Sequence, residues 1–144
     1  MDESRVRAFF DRYANVFERG LSGAAGMEEA AALYAPAFVA ASPAGVRAGT
    51  NNASLQQVMA QGYERYRAMG TKTMHVRDVR LTAIDDLHGV AHVAWTATYA
   101  RGDGPDVAID FEVHYLLQER DGELKVFGWV SGDEEATLRG HGIL

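Results

Sequence analysis

Few residues of this chain carry reactive chemistry. It has no Cys, which removes thiolate catalysis, disulfides and Cys-ligated metals. The groups left with acid, base or donor character include His75 and Arg77, two positions apart, the phenols Tyr13 and Tyr99, and the indoles Trp95 and Trp129. The imidazole of His75 suits a general base beside Tyr13, while Arg77 suits a carboxylate-bearing ligand. His92 and His114 face each other across a hairpin if its turn is tight. No third ligand at metal spacing accompanies them, since Asp110 and Glu112 are displaced along the strand, so the pair reads as structural and no metal is expected. The chain lacks a GxGxxG after a strand, a phosphate loop, a nucleophile elbow and an HExxH, so redox, nucleotide-dependent and serine-hydrolase readings fall away and no cofactor is expected.

The elements that must position these groups are legible from periodicity. Thr71 to Ser131 divides into four runs dense in Val, Ile, Thr and aromatics, separated by 85–89, 102–105 and the Asp121-Gly122 pair. This is the composition of an antiparallel meander of long strands. Its apolar face needs a cover, and the first seventy residues supply it. Val6, Phe9, Phe10, Tyr13 and Phe17 recur at helical spacing between a cap at Asp2 or Ser4 and a stop at Gly20. A loop at Ser22 to Gly26 leads to a shorter helix through Met27, Ala30, Ala31 and Tyr34, ending before Pro36. Ala37 to Ser42 and Val46 to Ala48 read as a small hairpin around Pro43-Ala44-Gly45. A third helix carries Leu55, Met59, Gly62, Tyr66 and Met69, capped at Thr50 to Asn52 and stopped by Gly70; Asp133 to Arg139 is a short helical turn.

The expected fold is α+β: a cone-shaped, curved antiparallel sheet wrapped around N-terminal helices, in one domain over residues 1–144. With 20 acidic against 14 basic residues, a net charge of −6 and no basic block, nucleic acid is not expected as a partner. The longest apolar stretch, Ala30 to Ala41, is broken by Pro36 and too short for a bilayer, so a soluble, cytoplasmic protein without membrane contact is expected.

Strand alternation places Val93, Trp95, Ala97 and Tyr99, then Ile109, Phe111, Val113 and Tyr115, then Phe127 and Trp129, on one face, taken as concave. Two readings stand: these aromatics fill the barrel, or they line a pocket for an apolar or aromatic small molecule. His75 and Arg77 share the parity of Val79 and Leu81, and either face inward or reach a solvated rim. The opposite face, with His92, Thr96, Asp110, Glu112, His114, Val126 and Val130, is mixed in polarity and suits a homodimer interface.

The order of elements, together with RYANVFERG at Arg12 to Gly20, LYAPAFVAASPAGVRAGT at Leu33 to Thr50 and the last two strands with their Asp-Gly turn, resembles the nuclear-transport-factor-2-like superfamily. That cystatin-like cone fold is shared by ketosteroid isomerase, scytalone dehydratase and the SnoaL-like polyketide cyclases, and it implies a pocket between helices and sheet. Against ketosteroid isomerase, Tyr13 falls at the oxyanion-binding tyrosine, Ser42 at the general-base aspartate and Val113 at the protonated aspartate. Neither replacement can do the carboxyl group's work, which argues against that activity. The resemblance implies a small-molecule pocket protein. It is either an isomerase, dehydratase or cyclase acting on an apolar or aromatic carbonyl compound, or a non-catalytic ligand-binding or dimerisation module. The candidate residues are Tyr13 and His75 for catalysis, and Ser42, Met59, Arg77, Trp95, Tyr99, Phe111, Val113, Phe127 and Trp129 for binding.

Overall fold

The computed structural model describes residues 1–23 and 26–144; the part of the predicted Ser22 to Gly26 loop at Ala24 and Ala25 lies outside the described residues. Helix α1 (Glu3–Leu21) starts where the Asp2 carboxylate accepts from the Arg5 N–H at 2.8 Å, and it buries Val6, Phe9, Phe10 and Val16. Helix α2 (Met27–Ala31) is a short turn. It stops before Tyr34, which the sequence pattern assigns to the helix but which instead opens strand β1 (Tyr34–Ser42). Pro36 cannot donate to a sheet ladder, and β1 accommodates it in an irregular stretch between Tyr34 and Val39. Strand β2 (Gly45–Thr50) completes the hairpin.

Helix α3 (Ala53–Ala68) is capped by Asn52, whose side chain accepts from the Leu55 N–H at 3.2 Å. Gly70, at φ +84°, turns the chain into the meander of β3 (Thr71–Ala83), β4 (His88–Arg101), β5 (Gly104–Arg120) and β6 (Glu123–Ser131). Asp121 and Gly122 both have positive φ, 53° and 78°, as a tight two-residue hairpin turn requires. A last helix, α4 (Glu134–Gly140), follows.

The strands order β2-β1-β6-β5-β4-β3 in one curved, unclosed sheet. The meander is antiparallel, as its short turns dictate. The β1–β6 pairing is parallel, because the chain crosses through α3 and the meander between those two strands, so the whole sheet is mixed. Along the concave side, α1 packs its Val6, Phe9, Phe10 and Val16 against Val79, Ala91, Val93, Trp95, Tyr115, Leu117 and Val126. Phe10 is fully buried and meets the Tyr115 ring at 4.7 Å.

Two one-residue irregularities change which side chains face inward. In β3 the pairing shifts between Val76 and Asp78, leaving Arg77 as the extra residue. Met74 and Val76 before it, and Val79 and Leu81 after it, pack on the core. In β6 the pairing shifts around Phe127, with Leu117 opposite Val126 and Leu116 opposite Gly128. Val126, expected on the outer face, is therefore fully buried in the core.

On the outer face His92 and His114 are direct partners, with Nδ1 to Nδ1 at 2.7 Å, and the Thr82 hydroxyl lies 2.9 Å from His92 Nε2. That short contact needs one ring to donate and the other to accept, so at most one imidazole is charged without losing it. Burial, then His114 and Arg80, hold the His92 pKa below 6.5, against the opposing pull of Glu112. The folded state thus binds fewer protons at His92 than the unfolded chain, and stability is lost as pH falls through that value. Melting temperature should drop as pH is lowered from 8 past about 6.5 toward 5, and His92→Gln should flatten that slope. Identical slopes in the two proteins would refute this account of the pair.

Candidate functional site

A cavity of about 330 Å³ opens between α1, α3, α4 and the concave side of β4, β5 and β6. It exists because α3 covers the sheet without packing onto it: none of its residues is fully buried, and Met59, Gly62, Tyr63 and Tyr66 are half-buried toward the opening. Where α3 comes closest to α1, the Tyr63 ring lies over Gly20, and a Cβ there would come within 2.6 Å of the ring. All six tyrosines and both tryptophans of the chain line this one cavity.

At its inner end stands a phenol cluster. The Tyr13 and Tyr34 hydroxyls are 2.6 Å apart, and the Tyr13 ring packs on Tyr115 at 5.6 Å and on Trp95 at 5.9 Å. Burial raises the pKa of Tyr13, while hydrogen bonds from Tyr34 and Tyr115 pull it back. Those two partners are raised well above the ordinary phenol value, by burial first and then by Tyr13. Either hydroxyl can donate in the Tyr13–Tyr34 bond, and with Tyr34 as the donor the Tyr13 O–H is left to donate elsewhere. The Trp95 indole N–H is buried and lacks a partner in hydrogen-bond geometry, although it is close enough to Tyr115 to moderate that phenol's pKa.

At the outer end Tyr66 donates to the exposed Glu134 Oε1 at 2.9 Å, which ties α3 to α4. Burial and then the Glu134 carboxylate push the Tyr66 pKa far up. Asp133 is occupied by its capping bond from the Ala136 N–H at 2.9 Å. Leu138 of α4 is buried against Ala97, Tyr99 and Ile109 and closes that side.

Of the residues expected from sequence, Tyr13, Met59, Trp95, Tyr99, Phe111, Val113 and Trp129 line the cavity. His75 does not. The extra residue at Arg77 reverses the alternation, so His75 pairs with Thr96 on the outer face and is exposed. Arg77 also lies outside, its Nε donating to the Trp95 carbonyl at 3.2 Å and standing 3.4 Å from the Asp110 carboxylate. Phe127 is turned outward by the β6 irregularity and meets His88 edge-on at 6.2 Å. Ser42 belongs to the β1–β2 turn, where its Oγ accepts from the Ala44 N–H at 3.2 Å. Tyr34, Tyr63 and Glu134 were missed. Tyr63 stands three residues before Tyr66 in α3, the one local signal that would have found it.

Among the described residues no group of three or more His, Cys, Asp or Glu is placed to hold a metal. The arrangement offers hydrogen-bond donation from Tyr13 within an apolar, aromatic wall, and one carboxylate at the entrance.

Comparison with known proteins supports the fold. The family model for "NTF2-like protein (DUF6841)" matches residues 2–134. No curated protein matches the chain. Among solved structures, an NTF2-like protein with a cystatin-like fold from Novosphingobium aromaticivorans is 12% identical, with a TM-score of 0.71, covering 99% of this chain and 88% of that one. A ketosteroid isomerase-like protein from Erwinia carotovora atroseptica is 14% identical, with a TM-score of 0.62 and coverage of 92% and 97%. A structure from Catenulispora acidiphila in complex with S-DNPA is 17% identical, with a TM-score of 0.68 and coverage of 94% and 96%.

All six tyrosines have pKa values raised above 10.0, Tyr63 to about 12, with burial as the first cause in each. A raised phenol pKa stabilises the fold below the unfolded value and loses that contribution as pH climbs through the folded one. In an alkaline titration followed by phenolate absorbance, no tyrosine should ionise near its ordinary value while the protein stays folded, and phenolate should appear with unfolding. A native-state titration with a midpoint near 10 would contradict the burial of the cluster.

Proposed function

We infer the function from one premise, that this chain belongs to the NTF2-like protein family DUF6841. Members of this fold share a cone with an internal space, and what each does is set by the side chains in that space. The reading we propose is a small-molecule pocket protein. It takes an apolar or aromatic ligand bearing one acceptor oxygen, which Tyr13 holds by hydrogen bonding. The observation that carries it is the Tyr13 hydroxyl, supported by Tyr34 at 2.6 Å, in a cavity of about 330 Å³ walled by aromatics. One structural neighbour, from Catenulispora acidiphila, is itself described in complex with S-DNPA.

A carbonyl oxygen placed at Tyr13 is polarised, and an enolate formed there is stabilised, because a hydrogen bond donated by Tyr34 to the Tyr13 oxygen strengthens Tyr13 as a donor. This suits an isomerase, dehydratase or cyclase. Against it stands the position of His75, which the outer face removes from Tyr13, and the Ser42 hydroxyl, which is engaged in a turn. That observation favours the second reading, a pocket that binds without turnover.

One experiment addresses both. Aromatic ketones are titrated by calorimetry and their α-proton exchange is followed by NMR, in the wild type and in Tyr13→Phe. Loss of one hydrogen bond to the ligand should weaken ketone binding about tenfold, while a hydrocarbon of the same shape binds equally to both proteins. Where exchange occurs, Tyr13→Phe should slow it by about two orders of magnitude. Binding without exchange selects the second reading, and ketone affinity untouched by Tyr13→Phe refutes the role of Tyr13.

We also propose that a second copy of the chain covers the outer sheet face. Val39 on β1 and Val130 on β6 are exposed there beside Leu116 and the His92–His114 pair, and Arg77 and Arg80 on β3 with Asp110 and Glu112 on β5 lie to one side of them on the same face. Exposed apolar residues beside charges of both signs give a face that a second copy can pair with about a two-fold axis. Light scattering at micromolar concentration should give the mass of a dimer, and Val130→Asp should give a monomer with unchanged secondary structure. A monomeric wild type would refute the interface.

A further inference from the structure

The cavity's lining has a charge character that the reading above leaves unused. Not one Arg, Lys or His lines it among the described residues, while Glu134 stands at its entrance with Asp133 before it in the chain. A carboxylate, phosphate or phenolate ligand would find no counter-charge in this space. It would also meet the field of Glu134, which already pushes the ionisation of Tyr66 and Tyr99 upward.

The aromatic wall points the same way. The faces of Tyr and Trp rings carry negative charge density and attract cations, most strongly where water is excluded. Near the entrance Tyr66 lies against Phe17 at 5.4 Å between ring centres, and Phe17 against Tyr63 at 5.5 Å. Tyr66 in turn donates to Glu134 Oε1 at 2.9 Å, and among the described residues the second carboxylate oxygen has no hydrogen-bond or ion-pair partner. Aromatic rings beside one carboxylate, with no basic side chain in the lining, form the chemistry that recognises an ammonium group.

We propose that the ligand is a lipophilic organic cation. A substituted ammonium group stands among Phe17, Tyr63 and Tyr66 beside Glu134, its apolar or aromatic body fills the cavity, and an acceptor oxygen at the far end reaches Tyr13. This rests on the pocket reading above and adds to it the charge of the ligand. Neutral compounds of the same shape bind more weakly, and anionic ones are excluded.

Three acetophenones that differ only in the para group test it: trimethylammonium, the neutral isostere tert-butyl, and carboxylate. Each presents a ring and a carbonyl, so each satisfies the pocket reading, and only the para group changes charge. Dissociation constants are measured by calorimetry on the full chain at moderate salt. The trimethylammonium compound should bind about tenfold tighter than the tert-butyl compound, and the carboxylate compound weaker than both. In Glu134→Gln the cation's advantage should shrink to about two- or threefold, what the aromatic faces alone supply. Equal or tighter binding of the tert-butyl compound, or an advantage unchanged in Glu134→Gln, overturns the assignment of the cation while leaving the pocket reading in place. Failure of all three to bind overturns both.

Discussion

The Tyr13 side chain is the joint on which the structure turns. Its ring touches Phe9 and Phe10 on its own helix, Tyr34 on β1, Trp95 on β4 and Tyr115 on β5, and its hydroxyl is held by Tyr34. One residue thereby fixes α1 against three strands. Offset and edge-on aromatic pairs each add roughly 0.5–1.5 kcal/mol beyond their buried area, so the cluster is a substantial fraction of a domain's net stability. The same contacts orient the phenol. Packing against three strands removes the freedom of the ring to swing.

The cavity survives next to this joint because the cover over the sheet is uneven. α1 seals the core with Val6, Phe10 and Val16, all essentially inaccessible, whereas α3 has no fully buried residue. A helix that contributes Met59, Gly62, Tyr63 and Tyr66 to an opening leaves a gap that its neighbours do not fill. The aromatics thus line a space that the barrel's own side chains leave open.

Much of this was legible in the sequence, and the parts that were not share a cause. The four meander strands, their turns and the capped first and third helices follow from local composition, and the structure places their ends within a few residues of the expected ones. Alternation correctly placed Trp95, Tyr99, Phe111, Val113 and Trp129 inside. It failed for His75 and Phe127 because each sits across a one-residue irregularity from the residues that set the parity. A bulge leaves no reliable mark in composition when the extra residue is an arginine or a phenylalanine rather than a glycine, yet it exchanges inside for outside along the rest of the strand. Tyr34 was misplaced for a different reason: Pro36 was read as ending a helix, but it sits within a strand that bends around it. The parallel β1–β6 pairing joins segments about 90 residues apart and Glu134 meets Tyr66 across 68 residues, both beyond the reach of local pattern.

The two bulges bear on chemistry as well as geometry. By turning His75 and Arg77 to the outer face, the β3 irregularity removes the nearest basic groups from the cone, and the Arg77 guanidinium is taken up by the Trp95 carbonyl and Asp110. What remains inside is phenols, indoles and apolar groups, with one carboxylate at the entrance. Such a space stabilises negative charge where a hydroxyl or an indole N–H can donate, as at Tyr13 and Trp95, and stabilises positive charge near Glu134 and the ring faces. A ligand that uses both ends must be polar at its tips and apolar between them. The distribution of charge around the cavity therefore constrains the ligand more tightly than its volume does. A cavity of about 330 Å³ admits many small aromatics, but far fewer carry an acceptor at one end and a cation at the other.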